Sequence, residues 1–171
     1  MKSSTPLHKE IKAIFDADQT DRSSNLFKTD FKKLTTNDRA RLTRAIEIYE
    51  LCKEKKADLS ANDLFSLAMI FQHGSDSADY IKTIELATLA GEKGNDKGKW
   101  LSAAAEDRYL LSMGKKQKWG TQFKKDAGSE WKLQPMLNDV ESGVTDQMRI
   151  EKSVPERARQ METFLSKNKK R

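Results

Sequence analysis

Three groups of polar residues break otherwise apolar stretches of this chain. Gln72-His73 ends LFSLAMIFQHG, Asp107-Arg108 lies inside LSAAAEDRYLL, and Gln117, Trp119, Thr121 and Gln122 follow in QKWGTQF. A histidine titrates near neutrality, so His73 suits general acid–base work. Asp107 is the carboxylate placed to orient it, and Arg108 is a forked cation suited to an anion. Gln72, Gln117 and Gln122 carry neutral amides, which move no protons but recognise amides, sugars and peptide backbone. Trp119 offers a stacking face, with the Thr121 hydroxyl beside it. His73 and Asp107 are therefore the candidate catalytic residues. Gln72, Arg108, Gln117, Trp119, Thr121 and Gln122 are the candidate ligand-binding residues.

Burying such groups costs a few kcal/mol each unless they are hydrogen-bonded, so they must meet one another, water or a ligand. Each also has a structural use. A histidine closing a helix meets the dipole and the last carbonyls, Asp107 and Arg108 tie a later segment to the helices, and Trp119 fills a small core. Trp100 and Trp131 are read as packing residues.

The elements that hold these residues follow from periodicity. Thr5 and Pro6 open a helix as N-cap and first residue, with Leu7, Ile11, Ile14 and Phe15 on one face. The polar stretch DADQTDRSSN, residues 16–25, reads as a loop. A helix starts near Thr35 to Asp38 and carries Leu42, Ala45, Ile46, Tyr49 and Cys52. Ser60 and Asp63 stand at capping-box spacing before the most apolar helix, and Gly74 is expected to close that helix in a left-handed turn. Further helices are expected over 78–90 and 97–113, separated by the turn GEKGNDKG. QKWGTQF and EWKLQPM flank KKDAGS, which predicts a small β-hairpin over 117–136 with a tight or positive-φ passage at Gly120. NDVESGVTDQ reads as loop, and Pro155 opens a last helix to about Ser166.

The expectation is thus one mainly α domain of five to seven helices. N-terminal helices fill 1–57, the polar groups lie in 58–135, a loop and helix fill 136–166, and 167–171 is a basic tail. Small residues in IELATLAGEKGN, between two segments of like pattern, resemble Sel1-like or tetratricopeptide packing, in which alanines let antiparallel helices approach closely. Only about one and a half repeats would fit. Gln72-His73 and Asp107-Arg108 stand about one repeat apart, which predicts similar heights on adjacent parallel helices.

The full set also resembles an uncharacterised bacterial family whose members carry a Gln-His pair, an Asp-Arg pair and a Gly-x-x-Gln-x-Tyr-Gly-Thr-Gln run. The matching residues are Gln72, His73, Asp107, Arg108, Gly114, Gln117, Gly120, Thr121 and Gln122, with Trp119 in place of the tyrosine. The resemblance covers residues 58–135. Such proteins also carry an acidic, arginine-containing stretch ending in proline, to which DQMRIEKSVP corresponds. The resemblance implies a site and brings no reaction with it.

Composition narrows the function. At 171 residues, 36% hydrophobic and 34% charged, the chain builds one modest core under a heavily solvated surface. A single cysteine excludes an internal disulfide, and two histidines leave no zinc set, so neither metal nor cofactor is expected. No stretch is apolar enough to span a bilayer and MKSSTPLHKE has no apolar leader core, so no membrane role and a cytoplasmic location are expected; a secreted domain shorn of its leader reads the same. The net charge of +6 invites nucleic acid, but acidic residues are interleaved among most of the lysines, which ranks that partner last. The favoured reading is a polar pocket for a small polar or anionic ligand or a peptide, with hydrolysis or group transfer through His73 as base. The alternative is a Sel1- or tetratricopeptide-like module that binds a protein partner.

Overall fold

The computed structural model describes residues 5–126 and 129–169. Among them are nine helices and one two-stranded sheet, so the chain is mainly α with a single small hairpin. Helix α1, Thr5–Ser23, begins one residue before Pro6 and runs through most of the stretch expected to be a loop. The reason is electrostatic. Asp18 is 1% exposed; Arg22, one turn on in the same helix, donates to it through Nη1 at 2.7 Å, and His73 Nδ1 at the end of the most apolar helix lies 2.9 Å away. Asp21 accepts from Asn37 at 2.9 Å and Arg41 at 2.7 Å, and Arg22 pairs with Asp38 at 3.1 Å. The polar residues of 16–23 are thus interhelical partners rather than turn formers.

Asn25, at φ 65°, turns the chain into the short α2, Leu26–Thr29. Helix α3, Phe31–Glu54, starts earlier than the apolar pattern indicates, because Asp30 caps it by accepting from Lys33 N–H at 2.9 Å. Cys52 lies buried on α3, and burial pushes its thiol pKa up.

Helix α4, Ala61–Gln72, opens with the expected capping box: Asp63 N–H donates to Ser60 Oγ, and Ser60 N–H to Asp63 Oδ2 at 2.9 Å. Gly74 does not close it in the left-handed region. His73 is the C-cap at φ −90°, and Gly74 is small because the Asp79 carboxylate, itself capping the next helix, occupies the space a Cβ would need. Helices α5, Ser77–Glu92, and α6, Asp96–Ser112, follow through short turns. They approach closely on small residues, as the alanine pattern implied. A Cβ on Gly98 would lie 2.8 Å from the Ala87 carbonyl and 2.9 Å from the Ala90 side chain. The main core joins Ile11 of α1, Ala45 and Ile48 of α3, Leu67 and Ile70 of α4, Leu86 of α5 and Leu101 of α6. Each large apolar side chain buried there contributes roughly 1.5–3 kcal/mol.

Strands β1, Phe123–Lys124, and β2, Lys132–Leu133, pair antiparallel with Phe123 opposite Leu133. The hairpin is shorter than expected, because residues 117–122 wrap a carboxylate instead of extending. Ala127 and Gly128 of its expected turn lie outside the described residues. The segment read as loop after it contains α7, Asp139–Ser142, and α8, Asp146–Glu151; Asn138 and Thr145, read as loop formers, are their N-caps. Helix α9, Arg157–Lys169, starts two residues after Pro155, and of the basic tail residues 170–171 lie outside the described residues. No helix among the described residues is long and apolar enough to cross a membrane.

Candidate functional site

Asp107, on the inner face of α6, is fully buried, and its carboxylate organises the segment that follows the helix. Its Oδ1 accepts from the main-chain N–H of Lys118 at 2.7 Å and of Trp119 at 2.8 Å. Its Oδ2 accepts from Thr121 N–H at 2.9 Å and the Thr121 hydroxyl at 2.7 Å. Four donors on one carboxylate explain why the chain leaves the helix and doubles back at once. Gly120 makes the bend possible: its φ is +76°, and a Cβ there would meet Gln160 Oε1 and Met136 Sδ at 2.9 Å.

Gln117 has a related role one step further along. Fully buried, its amide nitrogen donates to the carbonyls of Gln122 at 3.0 Å and Gln134 at 2.9 Å. Its amide oxygen accepts from Gln122 N–H at 2.9 Å. The side chain stands in for a peptide group between the two arms of the hairpin. Trp119 is 3% exposed and packs with Ala103, Val144 and Val154, while its indole N–H donates to Glu106 at 2.6 Å. Asp107, Gln117 and Trp119 therefore build the fold around the site. None of them lines the cleft described next; Trp119, almost fully buried, borders a separate cavity of about 300 Å³.

The remaining candidates do converge. Gln72, His73, Arg108, Thr121 and Gln122 line a cavity of about 340 Å³ between the end of α4, the middle of α6 and the hairpin. Arg108 Nη1 donates to the Gln72 carbonyl at 3.2 Å, which bridges α4 and α6 at the same height, as the repeat spacing predicted. Arg108 Nε donates to Gln122 Oε1 at 3.2 Å, and Gln122 Nε2 to Thr121 Oγ1 at 2.9 Å. Trp100, Thr121, Phe123 and Trp131 are shared with an adjoining cavity of about 460 Å³ that reaches Pro155, Gln160 and Thr163.

Two expectations about this wall are corrected. His73 is oriented by Asp18 of α1, not by Asp107, since Asp107 spends its oxygens on the loop. Nothing in the local sequence marks Asp18, which stands in a polar stretch that reads as a loop; only the course of α1 brings it there. Trp100 and Trp131 are not packing residues. They stay 42% and 44% exposed and form the aromatic wall of the cleft. Their exposure was hidden because tryptophan at helical or strand spacing reads as core.

A third group, Arg149 of the proline-ended stretch and Gln160 beyond it, clamps the loop from behind. Arg149 of α8 is 1% exposed and donates to the Trp119 carbonyl at 2.8 Å, and Gln160 of α9 donates to the Gly120 carbonyl at 2.5 Å. Burial, reinforced by nearby Arg157, pushes the Arg149 guanidinium below its ordinary pKa.

One polar group on the cleft wall has no partner. Gln72 is 4% exposed, its amide oxygen is buried without a hydrogen bond, and none engages its nitrogen among the described residues. A larger groove, about 880 Å³, runs past His8, Lys12 and Asp16, but it is open and these three side chains are engaged. His8 Nδ1 lies 2.5 Å from Asp63, and Lys12 is 2.5 Å from Asp16. Against known proteins, no family model, curated protein or solved structure matches this chain.

Proposed function

We propose that the cleft between α4, α6 and the hairpin binds a small polar ligand, held by stacking against tryptophan and by hydrogen bonds to Gln72, His73 and Arg108. The observation that carries this reading is the Gln72 amide oxygen, buried and unbonded on a wall shared with half-exposed Trp100 and Trp131. A buried amide without partners costs roughly 1–3 kcal/mol, and a ligand that pairs with it recovers that cost. The cavity size suits such a ligand.

The His73–Asp18 pair supports chemistry in the same cleft. A carboxylate on Nδ1 fixes the ring and leaves Nε2 as the basic nitrogen, the arrangement of a general base in hydrolysis or group transfer. The tandem packing of α4, α5 and α6 is the feature that supports the interaction-module reading.

The test is a titration of the ¹⁵N-labelled protein with millimolar monosaccharides, nucleotides, organic phosphates and N-acyl amino acids. Indole signals are assigned through single Trp→Phe variants. The reading predicts that at least one class moves the Trp100 and Trp131 signals and leaves Trp119 in place. If every class leaves those two indoles unmoved, the cleft is not a ligand site.

A further inference from the structure

The charge and spacing of the cleft narrow the ligand class, provided the cleft binds a ligand as proposed above. The chain contains 26 acidic residues, yet neither cavity has an aspartate or glutamate in its lining. Arg108, half-buried on that lining, makes no ion pair with a carboxylate among the described residues; its bonds go to the neutral oxygens of Gln122 and Gln72. On the His73 side of the cleft the cations are paired, Arg22 and Arg41 with Asp18, Asp21 and Asp38, whereas Arg149 behind the loop, like Arg108, has neutral partners. A guanidinium left without an acid, in a wall free of acids, calls for an anionic ligand.

The unbonded amide of Gln72 adds a second requirement. Carrying one acceptor and one N–H₂ donor, it matches a group with the same pair, such as another amide. The two recognition points sit close together, because Arg108 bonds the main-chain carbonyl of Gln72 itself at 3.2 Å. Both also line the same cavity, so the anion and the amide of the ligand are near neighbours along it. A nucleotide does not meet this, since a ribose separates the edge of its base from its phosphate. An N-acylated amino acid does, since its carboxylate and amide flank one carbon. Trp100, Phe123 and Trp131 then face the third substituent of that carbon, which selects an apolar side chain.

We infer that the cleft takes an N-acyl amino acid unit with a free carboxylate and an apolar side chain. The carboxylate meets Arg108, the adjacent amide meets Gln72, and the side chain lies against Trp100, Phe123 and Trp131. Free N-acyl amino acids and the carboxy termini of peptides share this chemistry. The adjoining cavity along Pro155, Gln160 and Thr163 is placed to receive the preceding residues of a peptide.

The experiment uses the full chain and three probes: N-acetyl-leucine, N-acetyl-leucinamide and a tetrapeptide ending in leucine with a free carboxylate. Binding is followed on the Trp100 and Trp131 indole signals. The inference predicts that the acid binds about tenfold more tightly than the amide, and that Gln72→Met weakens the acid about tenfold. That variant removes an amide with no protein partner, so its melting temperature holds. A tetrapeptide tighter than N-acetyl-leucine identifies peptide termini as the source; equal affinities identify the small molecule. Equal binding of acid and amide, or full binding by Gln72→Met, overturns the inference. If these probes fail while a sugar or nucleotide moves the same indoles, the ligand class is wrong and the cleft stands. If no probe moves them, both fall.

Discussion

Asp107 and Gln72 lie on neighbouring parallel helices, at nearly the same height, and both are buried polar residues of the same signature. Their surroundings are opposite. Asp107 has four donors on two oxygens, all from the chain itself. Gln72 has no partner for its amide. The difference separates residues that make the site from residues that face it. Asp107 and Gln117 replace water for the loop 117–122 and fix its path; Gln72, His73 and Arg108 are what that path leaves accessible to a ligand.

The contrast is broken most severely at Asp107. Asp107→Asn turns an acceptor-only group into one that carries two donors, against a loop that itself presents donors. At least two N–H or O–H groups lose their partner, so a stability loss of about 3 kcal/mol or more is expected in urea unfolding, and the Trp119 indole signal shifts as the loop releases. A near-neutral Asp107→Asn would show that the loop keeps its shape without the carboxylate.

Gln117→Met is expected to cost about 2 kcal/mol, since it removes three hydrogen bonds and leaves the Gln122 N–H and the Gln134 carbonyl without the partner that Gln117 supplies. The thermal midpoint then falls by several degrees. The hairpin amides should also lose hydrogen-exchange protection before the helical core does.

A smaller effect is expected at the charged seam behind His73. Hydrogen bonds from Asn37, and the nearby Arg41, hold Asp21 below the ordinary carboxylate pKa despite partial burial. Its folded value lies under its unfolded value of about 3.9, so its stabilising contribution is present above about pH 4. That contribution is lost as the pH falls through the lower folded value. Asp21→Asn should therefore cost about 1 kcal/mol at neutral pH and flatten the acid limb of the stability profile. An unchanged acid limb would remove Asp21 from the seam that helps place His73.

How much of this was legible in the sequence follows from the same contrast. Short-range physics was readable. The capping box of Ser60 and Asp63, the apolar stripe of α4, the small-residue contact of α5 with α6 and the tight passage at Gly120 all follow from local patterns. The approach of Gln72, His73 and Arg108 follows from repeat spacing, and that of Thr121 and Gln122 from their place just after α6. What local pattern does not carry is the long-range partner. Residues 16–23 read as a loop because the long-range partners of Asp18, Asp21 and Arg22 come from α3 and from His73 at the end of α4. Asp107 was assigned to His73 because nothing in sequence shows that four loop donors reach it first. The tryptophans divide for a similar reason: Trp119 is held inside by Glu106, Arg149, Val144 and Val154, whereas Trp100 and Trp131 stay half-exposed on the cleft. The order of these contacts along the chain gives no sign of which indole ends up covered.

The most direct test of the account compares Gln72→Met with Gln117→Met in urea unfolding at neutral pH. Both replace a buried amide by an apolar side chain of similar length. The account predicts a loss of about 2 kcal/mol for Gln117→Met, and no loss or a small gain for Gln72→Met, because an unpaired buried amide stabilises nothing. A loss at Gln72 equal to that at Gln117 would mean that its amide is bonded within the protein, and the division between residues that build the cleft and residues that face it would be contradicted.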